Sequence, residues 1–503
     1  KYQSDIFSIM AVFGIQLVTT VVMVSVLQKL GQHYSVGRWI LCSTGLMRFI
    51  HPSDEELKSL AKIPRPKGKK WKDKGSGDAT KNGTFTVPCN IDVQLEAVPV
   101  NAIDLLPLHF YFEYQWLVDY SIASVIVYCL SELYYTVIPS LQNEINLGLL
   151  WCTLGIGFAF KLLFHHTALY FRGSEVKGER SLCLLMGFGF LVISMVVLII
   201  DEQKLELGLD TAYRNLNQSA SQFLRNQGIN ERSPTSLFMV KLLVAMCCAV
   251  VGALFTFPGI RFGKMQADVL KYSGESRIWR ILFHLSFISP LFLTILWVKP
   301  ITKDYFTKPV WYQQEEPFLT EGQYDSLRLC CVMLVILFRL MLMPYYLQAY
   351  LNIAQDRLEE QRKSAGRISN VDLQKKVAMV FYYLCVVALQ FIAPLLICMF
   401  LTLILKNTGG YSWVGLLVTD GADTCSADEE PLVAPKISSF DTETYADTIT
   451  VTSEQFSFAI NSLKRMFSQE VWRGLFNFCT WWCIFTWFST SALGLLYQLY
   501  FTS

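Results

Sequence analysis

Residues Val377 to Leu405 read VAMVFYYLCVVALQFIAPLLICMFLTLIL, a run of 29 residues with no charged side chain. A helix needs about 20 mostly apolar residues to cross roughly 30 Å of hydrocarbon, so this run is long enough to span a bilayer and must tilt, kink or protrude. Working outward, eight further stretches read as spans: 10–30, 116–138, 147–171, 182–200, 237–257, 278–298, 327–347 and 472–499. The whole chain fits this reading, with 52% hydrophobic and 17% charged residues, well below the roughly one quarter charged in soluble domains. The fold class is therefore all-α, a polytopic helical membrane protein of about nine spans. The count is eight if residues 10–30 are a cleaved signal sequence; the lack of a basic leader and a small-x-small site favours a retained anchor. Residues 1–9 precede the Met10 that opens the first apolar run, and are expected to be extraneous.

The organisation that follows has a loop at 31–115, a bundle of seven spans at 116–405, a second long loop at 406–471 and a last span with the carboxyl end at 472–503. Orientation comes from Lys and Arg in the short loops, since cytosolic loops hold the excess. The third, fifth and seventh loops hold thirteen, among them Arg172, Arg261, Lys264 and Arg357, whereas the second, fourth and sixth hold seven. This predicts an amino terminus outside or lumenal and a carboxyl terminus in the cytosol, in the plasma membrane or endoplasmic reticulum. The sequon at Asn217 then faces the lumen and is a candidate for glycosylation, while that at Asn82 is cytosolic. Were Asn82 the modified one, the topology would be inverted.

Loop one opens with an amphipathic stretch from Trp39 to Ile50, expected to be an interfacial helix. Ser53 and Glu56 form a capping-box signature for a short helix that Pro64 stops. From Pro64 to about Asn90 the Lys, Gly and Pro content reads as a disordered basic linker. Its basic residues, 58–81, suit either a solvated tail or attraction to anionic lipids. Residues 349–376 are expected to extend the seventh span into the cytosol with a break near Gly366, and 453–470 to form an interfacial helix before the last span. Net charge is +2, which gives no reason to expect a nucleic-acid partner. Eleven of the fourteen cysteines lie in apolar segments, which argues against a disulfide framework.

There is no metalloprotease helix, nucleophile elbow or phosphate-binding loop, so the sequence points to no catalytic residue, no metal and no cofactor. Attention falls on ionisable residues inside the spans, each costing at least about 2.5 kcal/mol at mid-bilayer unless paired or wetted. These are Glu132, Lys161 and Arg339, with Asp119 and His165 nearer the inner ends. From the outer end, at about 1.5 Å per residue, Glu132 lies near 10 Å, Arg339 near 18 Å and Lys161 near 21 Å, a gap a long arginine can bridge. The cluster has two readings: structural pairs tying spans two, three and seven together, or a polar cavity that admits an anionic group or shapes an ion path. Adjacent His165 and His166 diverge by about 100° on a helix and make no metal pair by themselves. Pro290 and Pro394 are candidate kinks, each releasing a carbonyl within the membrane, in the similar stretches Phe287 to Leu293 and Phe391 to Ile397.

Several stretches are distinctive: Glu113 to Asp119 (EYQWLVD), Thr256 to Arg261 (TFPGIR), Trp297 to Tyr305 (WVKPITKDY), Leu347 to Leu351 (LQAYL) and Ala365 to Ile368 (AGRI). With the opening Met10 to Val18, they resemble the transmembrane protein 161 family over essentially the chain from Met10 onward. The resemblance implies a multi-pass membrane protein linked to excitability and to cation handling, calcium included, and brings no catalytic or ligand residues. The leading expectation is thus a non-enzymatic protein that modulates ion handling through ion channels, other membrane proteins or lipids. A transporter or channel using the charged cluster is the alternative, and a membrane scaffold or biogenesis factor the third.

Overall fold

The computed structural model describes residues 16–29, 31, 33–61, 85–89, 93–137, 146–172, 177–226, 236–274, 276–308, 318–363, 366–413, 415 and 467–501. The expected linker, for residues 62–84, the sequon at Asn82 and the expected helix up to residue 466 lie outside them.

The bundle is built around the stretch first quoted. It forms two helices, α13 (Asn370–Tyr382) and α14 (Leu384–Thr408), and every residue of α14 from Leu384 to Leu405 is buried. A helix that is apolar on all faces belongs at the centre of a bundle, and α14 is enclosed by α5 (Tyr111–Val137), α6 (Leu147–Arg172), α9 (Leu237–Tyr272), α12 (Glu321–Lys363) and α15 (Gln469–Phe501). The run is not one continuous helix, contrary to its unbroken apolar pattern. The His109 amide donates to the Tyr382 carbonyl at 3.3 Å, and the His109 ring lies 5.7 Å from that of Tyr382, so a side contact takes over one turn of the helix.

Seven helices among the described residues are long and apolar enough to cross a bilayer: α5, α6, α7 (Lys177–Ile199), α9, α10 (Arg277–Ile295), α12 and the α13–α14 pair. The expected count of nine is not shown. The described part of the first expected span is the shorter apolar helix α1 (Gln16–Lys29). The last, α15, is long, but its Trp, Tyr, Thr and Asn content lowers its hydropathy and it is not among the seven. It is nonetheless an interior helix, with Trp481, Trp482, Ile484 and Trp487 buried. α9 and α15 pack backbone to backbone: a Cβ on Gly263 would lie 2.4 Å from the Leu495 nitrogen, and one on Gly494 2.6 Å from the Ile260 Cα. Gly259 and Gly263 form the small-x-x-x-small spacing that lets membrane helices approach closely.

Loop one holds more structure than expected. α2 (Val36–Ser43) is the first half of the expected interfacial helix, but Gly45, at φ 76°, turns the chain and Met47–Ile50 becomes strand β1. β1 pairs antiparallel with β3 (Glu96–Pro99), and β2 (Thr86–Pro88), inside the stretch expected to be linker, pairs with β4 (Arg367–Ser369). Between them α3 (Asp54–Leu60) carries the capping box of Ser53 and Glu56 and ends before Pro64. Leu57, Val87 and Leu373 form a small core under these strands, and the Gln348 side chain on α12 both accepts from and donates to the Met47 backbone. β4 also ends the expected extension of the seventh span, with Gly366 at φ 138° beside the break. At the other end of the bundle α8 (Leu209–Asn226) is an amphipathic helix that the sequence reading missed, with Asn217 half-buried on it.

Candidate functional site

Arg339 stands midway along α12 and is only 1% exposed. Its guanidinium carbon lies 4.2 Å from the Phe262 ring centroid and 4.1 Å from that of Trp487, so two aromatic faces of α9 and α15 sandwich the cation. Its Nε donates to the Ser286 carbonyl at 3.0 Å. That oxygen receives no helical amide because the residue four further along α10 is Pro290, which has no N–H to offer, and it is shared by the Ser289 hydroxyl, which donates to it at 2.9 Å. Pro290 and Pro394 both lie inside continuous helices, and the leading phenylalanines of their two similar stretches, Phe287 and Phe391, both contact the Phe262 ring. Among the described residues no carboxylate pairs with Arg339. Its Nη2 and the Gln390 Oε1 have no hydrogen-bond partner. Both side chains line a cavity of about 10 Å3 with Pro258 and Pro394. That is about the room one water molecule needs.

The other expected members are elsewhere. Glu132 does not reach Arg339: it pairs with Lys406, at the end of α14. Lys406 stands one residue past the apolar run that ends at Leu405, outside the expected eighth span. Glu132 lines a separate cavity of about 710 Å3, whose walls are largely apolar side chains of α5, α12 and α14. Lys161 lies on the exposed face of α6, 5.9 Å from the Phe158 ring, and His165 shares that face one turn on. Asp119 does not meet His165; its Oδ1 accepts the Gly37 amide of α2 at 3.1 Å. His165 and the buried His166 instead both stand edge-on to Phe110, a residue held at φ 62°. The expected tie between spans two, three and seven is therefore absent among the described residues, because helix rotation aims these charges at different neighbours.

A denser set of charges closes one end of the bundle, and the sequence reading did not assemble it. Arg328, 2% exposed on α12, donates to Asp325 at 2.9 Å, lies 3.6 Å from Glu206 and stacks 4.8 Å over Trp297. Asp325 also receives Arg473 of α15 at 2.8 Å, and Arg473 reaches the Tyr411 hydroxyl at 2.7 Å. Lys303, on the short α11 (Lys303–Thr307), bridges Glu206 at 2.8 Å and Glu321 at 3.3 Å. Burial pulls the Lys303 ammonium down, but its bond to Glu206 and the charges of Asp325 and Glu321 outweigh that and hold it above its ordinary range. Asn477 completes the clamp, accepting from the Trp297 indole and donating to the Glu206 carbonyl. The signal in the sequence was the i, i+3 spacing of Asp325 and Arg328; the other partners come from distant loops.

Among the described residues no three His, Cys, Asp or Glu side chains are grouped to hold a metal ion. The family model described as predicted transmembrane protein 161AB matches residues 11–502. No solved structure matches the chain.

Proposed function

The chain belongs to the predicted transmembrane protein 161AB family, and from that premise we propose that it is a non-enzymatic multi-pass membrane protein that modulates ion handling by lateral contact with channels or lipids. The observation that carries this reading is the dispersal of the intramembrane charges. A transport path needs polar groups along one accessible route. Here Glu132 is tied to Lys406, Lys161 is on an outer face, and Arg339 is enclosed beside a cavity of about 10 Å3, too small for a hydrated ion. What remains suited to contact is the surface, with apolar side chains exposed along α7 such as Leu184, Leu185, Phe188 and Val196.

The proposed placement is the plasma membrane or endoplasmic reticulum, amino terminus outside or lumenal and carboxyl terminus cytosolic, supported by the excess of basic residues in alternate loops. Glycosylation at Asn217 is expected on that placement, and modification of Asn82 would invert it. The functional reading is tested by reconstituting the purified chain in liposomes and recording cation flux and current. No flux above empty liposomes is expected. Flux abolished in a folded Arg339→Leu variant would overturn the accessory reading in favour of a transporter.

A further inference from the structure

The ends of α6, α7, α9 and α15 surround a cavity of about 670 Å3. Its wall is apolar toward the middle of the bundle, at Leu182, Met186 and Phe257, and carries two cations, Arg261 and Lys264, with Leu493 and Leu496 beside them at the same level. These stand three residues apart on α9, on one helix face. Both are half-buried, and among the described residues neither forms an ion pair within 4 Å; Arg261 lies 5.9 Å from the Tyr350 ring. Asp268, a turn beyond Lys264, is the nearest acid: it closes no bridge within 4 Å to either cation among the described residues, but their charges act on its carboxyl.

Depth follows from α9 itself. Lys241 pairs at 2.8 Å with Asp210 of α8, and since an amphipathic helix suits the interface, we take this level as one edge of the membrane. From there Arg261 lies about 30 Å along the helix and Lys264 about 35 Å. The hydrocarbon is roughly 30 Å thick and the headgroup layers bring the total to about 40–45 Å, so both cations fall at the opposite headgroup level. Under the proposed orientation this is the cytosolic leaflet, where anionic lipids carry the negative surface charge. A cavity that is apolar toward the bilayer core and cationic at headgroup depth has the polarity of one phospholipid.

We propose that this cavity holds an anionic phospholipid of the inner leaflet, its phosphate between Arg261 and Lys264 and an acyl chain running coreward along Leu182, Met186 and Phe257. A planar guanidinium and an ammonium side by side suit a phosphate diester, the first through paired N–H donors and the second as a point charge. A soluble phosphate ester would satisfy the cations and leave the apolar wall against water. The inference deepens the lipid side of the proposed function and rests on the orientation given there.

The test uses the full chain in nanodiscs of phosphatidylcholine with a minor fraction of phosphatidylserine, with co-purifying lipid counted by native mass spectrometry. Phosphatidylserine is expected to be retained selectively, and each of Arg261→Gln and Lys264→Gln to lower that selectivity roughly fivefold, together more than tenfold. Met186→Trp, which fills the coreward groove and leaves both cations, should lower retention of either lipid; the charge-conserving Lys264→Arg should retain selectivity. Equal retention of the two lipids by the wild type, or unchanged selectivity in the folded double variant, would overturn the site. Displacement of the lipid by soluble glycerophosphoserine would overturn the acyl-chain assignment. Selective retention with ion flux sinks only the accessory reading, and loss of selectivity without flux sinks only this site.

Discussion

Arg328 and Arg339 sit eleven residues apart on the same helix, equally buried, and are accommodated in opposite ways. Arg328 is held by carboxylates, with Asp325 and Glu206 within 4 Å and Arg473 and Lys303 sharing the same acids. Arg339 has no acid partner among the described residues and relies on one backbone carbonyl and two aromatic faces. Position explains the difference. Arg328 stands near the end of the bundle where loops can bring acids to it, whereas Arg339 is surrounded only by other helices, whose backbones are already bonded except where a proline intervenes. The comparison shows that a mid-membrane charge need not mark a permeation site: a proline on one helix and a cation on another can close a hydrogen bond between them.

The sharpest test removes the shared acid. In Asp325→Leu, Arg328 and Arg473 lose their common partner while both remain in place, and removing one partner of a buried pair costs about 3–5 kcal/mol. A large fall in melting temperature in detergent is expected, with detachment of α15 from α12 seen as faster hydrogen exchange around Arg473. An unchanged melting temperature would show that this network is not what closes the end of the bundle.

Next in size is the coupling between Pro290 and Arg339. In Pro290→Ala the new amide competes for the Ser286 carbonyl, so Arg339 loses its acceptor; in Arg339→Met the cation is gone and the same alanine completes an ordinary helix. A double-mutant cycle is therefore expected to give a coupling of about 1–2 kcal/mol, within the range for residues in direct contact. Additive effects would mean that the proline and the arginine act separately. The single change Arg339→Met should shift stability by less than about 1.5 kcal/mol in either direction, because it strands no opposite charge and keeps the volume between Phe262 and Trp487. A loss as large as that of Asp325→Leu would erase the distinction between the two arginines.

These two sites also show where a sequence can be read and where it cannot. The apolar run ending at Leu405 identifies a membrane helix by composition alone, and its lack of any polar face is why α14 lies at the centre. That Pro290 frees a carbonyl follows from proline's chemistry; that Arg339 takes it does not, since this depends on the relative rotation of α10 and α12. Glu132 was legible as a buried acid, but its partner Lys406 stands just past an apolar run and read as a loop residue. The strand at Met47 was lost because four residues of alternating pattern after a helix look like more of the helix until Gly45 is recognised as a turn. The clamp at Arg328 joins groups separated by more than a hundred residues, from Glu206 to Arg473, and no local pattern announces it.

The smallest expected effect separates the two arginines by pH. Lys303 belongs to the Arg328 network, and its ammonium is held above its ordinary range by Glu206, Asp325 and Glu321 against the opposing pull of burial. A cation whose pKa is raised on folding contributes stability that is fully present below the unfolded value, about 10.4, and is lost as pH rises through the folded value. Hydrogen exchange of the amides around Lys303 and Glu206 should therefore quicken as pH climbs above about 10, after correction for the intrinsic rate, while amides around Arg339 keep their protection. In Lys303→Arg, whose guanidinium stays charged throughout, the alkaline loosening should disappear. If the region around Arg339 loosened in step with the clamp, the two cations would be parts of one cooperative unit, and the contrast between a charge held by acids and a charge held by a proline-freed carbonyl would describe two ends of a single network.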